Sequence, residues 1–161
     1  MPVEPYSRTM DRHVESAVEI DAPPAAVWRA LLDFGSYRDW NPLLRRVRGR
    51  PTEGTRLRAL LSQPGLPPVV IAPEVITREE ERELRWVSNS PIPGVLTAEH
   101  TFLLTPLDDG SRTRFTQQES FEGVVAALLP ERLVSQVERG FGEMNDALKR
   151  RVESSVPVVE E

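Results

Sequence analysis

The feature that most constrains the fold is a single amphipathic pattern in the last part of the chain. Apolar side chains recur there every three or four residues, at Leu133, Val137, Phe141, Met144, Leu148 and Val152. Polar and charged side chains occupy the positions between them. This spacing predicts one helix of roughly 20 residues, about 30 Å long, with one apolar stripe. Because one stripe is buried against one neighbouring layer, the rest of the chain must supply the surface on which this helix packs.

The residues before this helix carry the pattern of β-strands. In residues 13–20 the apolar side chains Val14, Val18 and Ile20 alternate with more polar ones, which is typical of a half-buried strand. Residues 43–121 consist of short strand-like runs separated by turns that contain Pro and Gly. Consecutive short strands of this kind favour an antiparallel sheet.

Two short helices separate the first strand from the others. Apolar residues at helical spacing predict the first, and the stretch DFGSYRDWNP, residues 33–42, predicts a second that Pro42 ends. The order of strand, two short helices, run of strands and long helix predicts an α+β fold. In this fold, a curved antiparallel sheet of about seven strands holds the C-terminal helix on its concave side.

Length and composition restrict the classes of protein and site. The 161 residues predict a single domain over residues 13–153, with loose termini at 1–12 and 154–161. The net charge of −5 argues against a nucleic-acid binder. The absence of cysteine excludes disulfides and thiolate nucleophiles, and with two histidines we expect no metal site. There is no glycine-rich phosphate loop, so we expect no nucleotide cofactor.

Localisation is predicted from what the sequence lacks. It contains no stretch long enough to span a membrane, and its first residues form no apolar run typical of a signal peptide. We therefore expect a cytoplasmic protein. The sequence leaves open whether the protein is a monomer or a dimer.

Three aromatic residues gather in the stretch 33–42, namely Phe34, Tyr37 and Trp40. They either complete an ordinary core or form one wall of a cavity, because large aromatic side chains are used for both. The pattern alone leaves both interpretations open.

Several stretches of the chain resemble a known family. They are IDAPPAAVWRALLDFGSYRDWNP, the strand ELRW, HTFLLTPLDDGSRTRFTQQESFEG and FGEMNDALKRRVE. With the order of elements, they resemble the START-like, helix-grip superfamily that includes Bet v 1-like proteins, and in particular its bacterial polyketide cyclase/dehydrase (SRPBCC) branch. The resemblance covers residues 13–153. It implies a ligand pocket between the concave face of the sheet and the long helix, closed at one end by the aromatic stretch.

The phase of the strands predicts which side chains face this interior, since alternate side chains share a face. In residues 84–88, the apolar Leu84 and Trp86 place Ser88 inside. The apolar positions of residues 96–104 and 113–121 set the inner face in the same way. The predicted inner face carries Trp86, Ser88, His100, Phe102, Phe115, Gln117 and Glu119.

A hairpin predicts how two of these strands pair. The dipeptide Asp109-Gly110 favours a two-residue turn, which places His100 opposite Glu119 and Phe102 opposite Gln117. A three-residue loop would shift the pairing by one residue, against the hydrophobic phase. Directly opposite residues have Cβ atoms about 4.5–5.5 Å apart, so His100 and Glu119 can form a contact.

The resemblance and the inner face together predict ligand binding. We predict that a small hydrophobic, ring-containing molecule, polyketide- or lipid-like, contacts Tyr37, Trp40, Trp86, Ser88, His100, Phe102, Phe115, Gln117, Glu119, Phe141 and Met144. The alternative is a polyketide cyclase/dehydratase-type enzyme in which His100 and Glu119 are catalytic and transfer protons. In a third interpretation the pair is purely structural, because a buried carboxylate needs a partner in any case.

Two further features have competing interpretations. Arginines on adjacent predicted strands suggest either an interaction module for phosphate or RNA or a solvated outer face: Arg45, Arg46, Arg48, Arg50, Arg56 and Arg58. The acidic net charge favours the solvated face, balanced by Glu80, Glu81 and Glu83.

Gly140 and Gly142 interrupt the long helix. Each destabilises the helix by about 1 kcal/mol relative to alanine, which indicates either a close approach of another group or a tolerated kink.

Overall fold

The computed structural model of the protein describes residues 12–155. It begins with strand β1 (Arg12–Ile20), followed by helices α1 (Pro24–Leu32) and α2 (Tyr37–Trp40), and it ends with helix α3 (Glu131–Ser155). The order of strand, two short helices, strands and one long helix is therefore the predicted one.

Seven further strands lie between α2 and α3. They are β2 (Leu44–Arg48), β3 (Arg58–Leu61), β4 (Val69–Ile71), β5 (Glu74–Glu79), β6 (Glu83–Asn89), β7 (Thr97–Leu107) and β8 (Arg112–Glu122). Within the described residues, every pair of neighbouring strands is antiparallel. One sheet has the order β1-β8-β7-β6-β5 and the other β2-β3-β4. The α+β class is confirmed.

The strands of residues 12–155 number eight in two sheets, rather than about seven in one sheet. The difference arises in the run VVIAPEVITRE, which reads as one strand. Pro73 interrupts it, and β4 ends at Ile71 while β5 begins at Glu74. Because proline has no backbone N–H to give to a ladder, the run divides, and its halves join different sheets.

Helix α3 lies against the five-stranded sheet, as its apolar stripe predicts. It contacts β1, β8 and α1. The buried apolar side chains of the helix include Val137, Phe141, Met144, Leu148 and Val152. They share one core cluster with Trp86, Phe102 and Phe115 of the sheet. Sheet and helix therefore enclose a common interior.

The hairpin between β7 and β8 has the predicted register. His100 pairs with Glu119, and Phe102 pairs with Gln117. The turn is centred on Asp109-Gly110, whose φ angles are 57° and 85°. Asp108 also has a positive φ angle, 50°, so the ladder ends one residue earlier than a simple two-residue turn requires. The pairing of the other residues is unchanged, because Asp108 on one strand and Ser111 on the other both lie outside the ladder, which ends at Leu107 and Arg112.

The predicted loose termini fall mainly on residues 1–11 and 156–161, which lie outside the described part of the chain. At the inner ends, Arg12 begins β1, and residues 154–155 continue α3.

Gly140 lies where a loop presses on α3. A Cβ atom at this position would lie 2.5 Å from Oε1 of Gln63, 3.0 Å from Cδ1 of Leu43 and 3.2 Å from Cδ of Pro64. At Gly142, the nearest such atom would lie 3.9 Å away. A close approach therefore exists at Gly140, whereas Gly142 has room for a side chain.

We expect Gly142→Ala to raise the free energy of unfolding by about 1 kcal/mol, because alanine favours the helix and the site has room. Gly140→Ala gains the same helix propensity but must displace the amide of Gln63 and press on Leu43 and Pro64. Its net effect is therefore smaller or destabilising. Urea denaturation of the wild type and both variants measures the difference. Equal stabilisation by the two substitutions would contradict the close approach.

Candidate functional site

A cavity of about 160 Å³ lies between the two sheets and helix α3. Most of its wall is apolar and is formed by Leu43, Leu44, Leu61, Ile71, Ala98 and Phe121, with the aromatic rings of Trp86 and Phe141. Four polar side chains also line it: Gln63, Ser88, His100 and Glu119. The chain thus forms an internal space with a small number of polar groups in an apolar wall.

Strand pairing brings the polar part of the wall together. His100 of β7 pairs with Trp86 of β6 on one side and with Glu119 of β8 on the other. Two residues away on β7, Ala98 pairs with Ser88. Because alternate residues of a strand share a face, both rows point to the same side of the sheet.

His100 and Glu119 form a hydrogen-bonded pair. Nδ1 of His100 lies 2.8 Å from Oε2 of Glu119. The His100 side chain is 7% exposed and that of Glu119 16%, so the pair is largely withdrawn from solvent. The other carboxylate oxygen, Oε1, forms no hydrogen bond with any residue of the described part of the chain. One oxygen of Glu119 thus holds His100, while the other is free of protein partners there.

Further hydrogen bonds connect His100 to helix α3. Nε2 of His100 lies 3.0 Å from Oε1 of Gln117. The amide nitrogen of Gln117 donates to Oδ1 of Asn145 at 2.8 Å and to the backbone oxygen of Phe141 at 3.4 Å. Asn145 donates to Oγ of Ser16 at 3.3 Å. Since Gln117 and Asn145 are buried, this network joins the centre of the sheet to the centre of the helix.

The backbone oxygen of Phe141 determines where the protons of this network lie. A carbonyl oxygen only accepts, so the nitrogen of the Gln117 amide faces it and the amide oxygen faces His100. Nε2 of His100 therefore carries a proton. A second proton lies between Nδ1 and Glu119, either in an imidazolium–carboxylate pair or in a neutral pair with a protonated carboxyl group. In both forms, the protein occupies both nitrogens of His100.

Three aromatic rings surround the imidazole of His100. The ring centroids of Phe102, Phe141 and Trp86 lie 4.3, 4.9 and 5.7 Å from it. The ring of Phe141 meets the imidazole edge-on, at an interplanar angle of 72°. These contacts restrict the rotation of the imidazole, so its orientation toward Glu119 is well defined.

The binding residues predicted from the sequence divide into two groups. The cavity is lined by Trp86, Ser88, His100, Glu119 and Phe141. Buried behind this wall are Phe102, Phe115, Gln117 and Met144. Gln117 still touches His100, so it acts through that residue rather than from the wall itself.

Tyr37 and Trp40, also predicted to bind the ligand, belong to a separate aromatic cluster. The ring of Tyr37 meets those of Phe34 and Trp40 edge-on, at centroid distances of 5.4 and 5.1 Å. Its buried hydroxyl donates to the backbone oxygen of Leu31. Burial, and secondarily the negative charge of Asp33, raise the pKa of the Tyr37 phenol well above its ordinary value. Tyr37 is therefore a hydrogen-bonded core residue.

The aromatic wall expected at this end of the cavity is replaced by Leu43 and Leu44. Asn41 causes the change. Its Oδ1 accepts hydrogen bonds from the backbone nitrogens of Leu43 and Leu44 at 3.0 and 2.9 Å. These bonds turn the chain sharply after α2, so the two leucines face the cavity and the aromatic cluster packs beside them.

Two polar residues of the site are absent from the sequence-based set. Asn145 comes four residues after Phe141, so it lies on the apolar stripe of α3, and a polar residue on such a stripe is a recognisable signal. Gln63 lies in the loop between β3 and β4, where no periodicity applies. Nothing in the sequence pattern indicates that this loop folds against Gly140.

The carboxylates predicted to balance the positive charge of the six arginines between Arg45 and Arg58 do not lie beside them. All six arginines are exposed. Glu80 and Glu83 lie beside Arg78 and Arg85 instead of beside the cluster. Within residues 12–155, Glu81 forms no ion pair, and the cluster has one carboxylate within 4 Å, where Arg56 lies 3.7 Å from Glu74.

The described residues contain no group of three or more His, Asp or Glu side chains placed to hold a metal ion. Over the same residues, no helix has the length and apolar character needed to cross a membrane.

Solved structures share this fold. The chain is similar to the Zhui aromatase/cyclase from Streptomyces sp. R1128, with 21% identity, a TM-score of 0.73 and coverage of 92% of this chain and 97% of that one. It is also similar to a START superfamily protein from Mycobacterium smegmatis, with 18% identity, a TM-score of 0.69 and coverage of 88% and 97%. Norcoclaurine synthase from Thalictrum flavum, in complex with dopamine and hydroxybenzaldehyde, is 13% identical, with a TM-score of 0.68 and coverage of 92% and 90%.

Family membership follows from the sequence itself. No curated protein matches the chain. The model of the family described as "Polyketide cyclase / dehydrase and lipid transport" matches residues 11–153, which is most of the 161-residue chain. This protein therefore belongs to the polyketide cyclase/dehydrase and lipid transport family.

Proposed function

We propose that this protein binds a small hydrophobic molecule that contains a ring, polyketide- or lipid-like in chemistry, in the cavity beside His100 and Glu119. The observation that carries the proposal is a mainly apolar cavity of about 160 Å³ with a hydrogen-bonded acid–base pair in its wall. Ligand sites typically combine such an apolar lining with a few placed polar groups. Membership of the family agrees with this function.

The volume of the cavity suits one ring. An engineered apolar cavity of about 150 Å³ binds benzene, whereas sites for drug-sized ligands measure about 300–1,000 Å³. At about 160 Å³, the cavity accommodates a single ring, and a longer molecule would extend beyond it or displace side chains of the wall. Norcoclaurine synthase, which has a similar fold, is in complex with dopamine and hydroxybenzaldehyde, and ligands of that size agree with this volume.

Glu119 is the polar anchor in this proposal. Both nitrogens of His100 are occupied by protein groups, so the imidazole holds the carboxylate in place. Glu119 lines the cavity, and its Oε1 has no partner in the described residues, so this oxygen would accept a hydrogen bond from a ligand hydroxyl. A buried ion pair is weak evidence for stability by itself, because desolvation opposes the attraction. A carboxylate that lines a cavity and has one oxygen free of protein partners is better explained by ligand binding.

The second candidate function is a cyclase/dehydratase reaction, and the same free oxygen favours it. Glu119 would take a proton from a carbon next to a carbonyl group, and the resulting carbanion would attack a second carbonyl carbon to form the carbon–carbon bond. The protonated Glu119 would return its proton to the new alkoxide. Glu119 would then take a second proton from the same carbon and pass it to the departing hydroxide, which leaves as water. His100 would stabilise the charge of Glu119 without direct contact with the ligand. Glu119 is then the catalytic residue, and His100 positions it.

Glu119→Gln tests the anchor. We expect the variant to keep its thermal stability within a few degrees, because glutamine retains the size and a hydrogen bond to His100. Its affinity for ring-containing ligands should fall about tenfold to a hundredfold, since a hydrogen bond to a charged group contributes about 1.5–3 kcal/mol. Native mass spectrometry identifies co-purified ligand, and thermal-shift titrations with aromatic polyketides, sterols and fatty acids measure affinity.

Glu99→Gln is the matched control. Glu99 lies on the outer face of β7 and contacts Arg85 at 3.1 Å, outside the cavity. It should leave ligand affinity unchanged. A Glu119→Gln variant that loses thermal stability but keeps its affinity would identify the pair as structural and contradict the proposed anchor.

A turnover experiment tests the second candidate. The protein is incubated with a linear polyketone thioester, and ring closure with loss of water is followed by mass spectrometry. If Glu119 transfers the proton, Glu119→Gln slows the reaction about 10²- to 10⁴-fold, the usual contribution of a general acid or base. Wild-type protein that binds the thioester without accelerating its cyclisation would refute the catalytic function and leave the binding function intact.

A pair of phenylalanines tests whether the cavity is empty space in the unliganded protein. Phe115 is fully buried and does not line the cavity, so Phe115→Ala should lower the free energy of unfolding by about 3–5 kcal/mol. Phe141 is equally buried from solvent but faces the cavity. Phe141→Ala should therefore cost about 1–2 kcal/mol less, because part of the ring already lacks neighbours. Urea denaturation measures both, and equal costs would indicate a filled interior.

A further inference from the structure

The outer face of the three-stranded sheet carries positive charge that the proposed function does not use. Arg46 of β2 pairs with Leu60 of β3, which pairs with Val70 of β4, and Arg48 pairs with Arg58. Because paired residues and alternate residues of a strand share a face, these five side chains lie together. All five border one shallow depression of the surface. We call them the basic face.

The basic face lies on the reverse side of a wall of the cavity. Val47 and Ala59, which come between the arginines along β2 and β3, are buried. Leu61 of β3 and Ile71 of β4 line the cavity. The inner side of this sheet thus encloses the proposed ligand site, and its outer side carries the arginines.

The charge of this part of the chain is opposite to that of the rest. Residues 43–72 contain six arginines and one acidic residue, Glu53, which is a net charge of +5. Since the whole chain carries −5, the remaining residues together carry −10. Glu53 already accepts a hydrogen bond from the backbone nitrogen of Arg78 at 3.0 Å. An anionic surface orients a molecule with this division of charge so that the positive sheet faces it.

The arginines of the basic face keep their charge uncompensated. Within residues 12–155, Arg46, Arg48 and Arg58 have no carboxylate within 4 Å, and the ion pair of the wider cluster is that of Arg56 with Glu74. By contrast, Arg112 on the five-stranded sheet has three carboxylates at 3.4–3.7 Å. Guanidinium groups without such partners are available to phosphate groups.

The apolar residues of the basic face distinguish between anionic partners. Val70 is 63% exposed, and the partly exposed Leu60 lies between it and Arg46. Aliphatic side chains beside arginines suit the boundary between lipid headgroups and acyl chains, where hydrocarbon and charge meet. Single-stranded nucleic acid is bound largely through aromatic side chains that stack on the bases, and this face has none. The combination favours a lipid surface.

We propose that the basic face docks the protein on anionic membranes, with Arg46, Arg48 and Arg58 on lipid phosphate groups and Val70 at the boundary with the acyl chains. A polyketide- or lipid-like molecule concentrates in the hydrocarbon phase of a membrane, so docking brings the cavity to the source of its ligand. In assigning this purpose to the docking, the inference rests on the proposed function.

Sedimentation with vesicles tests the charged part of the proposal. Wild-type protein should co-sediment with vesicles of equal parts phosphatidylcholine and phosphatidylglycerol, and not with phosphatidylcholine alone, and high salt should release it. Arg46→Gln combined with Arg48→Gln should weaken this binding about 25-fold, which is about fivefold for each basic residue. The melting temperature should not change, because neither side chain has a partner among the described residues.

Arg114→Gln combined with Arg150→Gln is the matched control, because it changes the net charge by the same amount. Both residues are exposed, on β8 and α3, outside the basic face. This variant should leave vesicle binding unchanged.

A fluorescent label tests the orientation on the membrane. The chain has no cysteine, so one introduced thiol takes a label at one place. A polarity-sensitive dye on Val70→Cys should brighten on anionic vesicles. The same dye on Thr105→Cys, an exposed position of β7, should not.

Three results would overturn the docking: equal weakening by the two double variants, equal binding to both kinds of vesicle, or binding to an RNA oligonucleotide or to polyglutamate without binding to vesicles. Each would leave ligand binding in the cavity intact, because the ligand titrations use no membrane. Vesicle binding by a protein that binds no ring-containing ligand would support the docking and refute the purpose assigned to it.

Discussion

The hydrogen bond from Gln117 to Asn145 determines how helix α3 sits on the sheet. Both side chains are buried in an otherwise apolar interface, and their polar atoms are 2.8 Å apart. Sliding or rotating the helix would leave two buried amides unpaired, at about 1–3 kcal/mol for each unsatisfied group. A single buried asparagine fixes the register of coiled coils in the same way. The site depends on this contact, because the amide that binds the helix also holds the imidazole of His100.

The width of the cavity depends on a contact in which side chains meet the backbone of α3 at Gly140. The loop between β3 and β4 touches α3 at Gly140, through Gln63, Pro64 and the neighbouring Leu43. Successive residues of a helix point about 100° apart, so Phe141 lies beside this contact and faces the space next to it. A larger residue at position 140 would move the loop outward. The absence of a side chain at position 140 thus allows the loop to approach the helix closely beside the cavity.

The sequence predicts those parts of the fold and site that depend on periodicity. The stripe of α3, the phase of β6 to β8 and the Asp109-Gly110 turn suffice to bring His100 and Glu119 together. Parts that depend on single local bonds are not predictable in this way. Pro73 divides an apparently continuous strand, and Asn41 turns two leucines into the wall where aromatic residues are expected. Gln63 lies in a loop whose contact with the helix has no periodic pattern.

Stability and the proposed ligand binding share hydrogen bonds in this molecule. The network that begins at Ser16 and Asn145 ends at Glu119, a residue that lines the cavity. A change in Gln117 or Asn145 therefore alters the packing of the helix and the position of His100 together, and such effects are not additive. Gln63 and Ser88 form no hydrogen bond with this network among the described residues. In the proposed function, Ser88 is therefore the polar wall residue at which ligand preference can change without loosening the contact between sheet and helix.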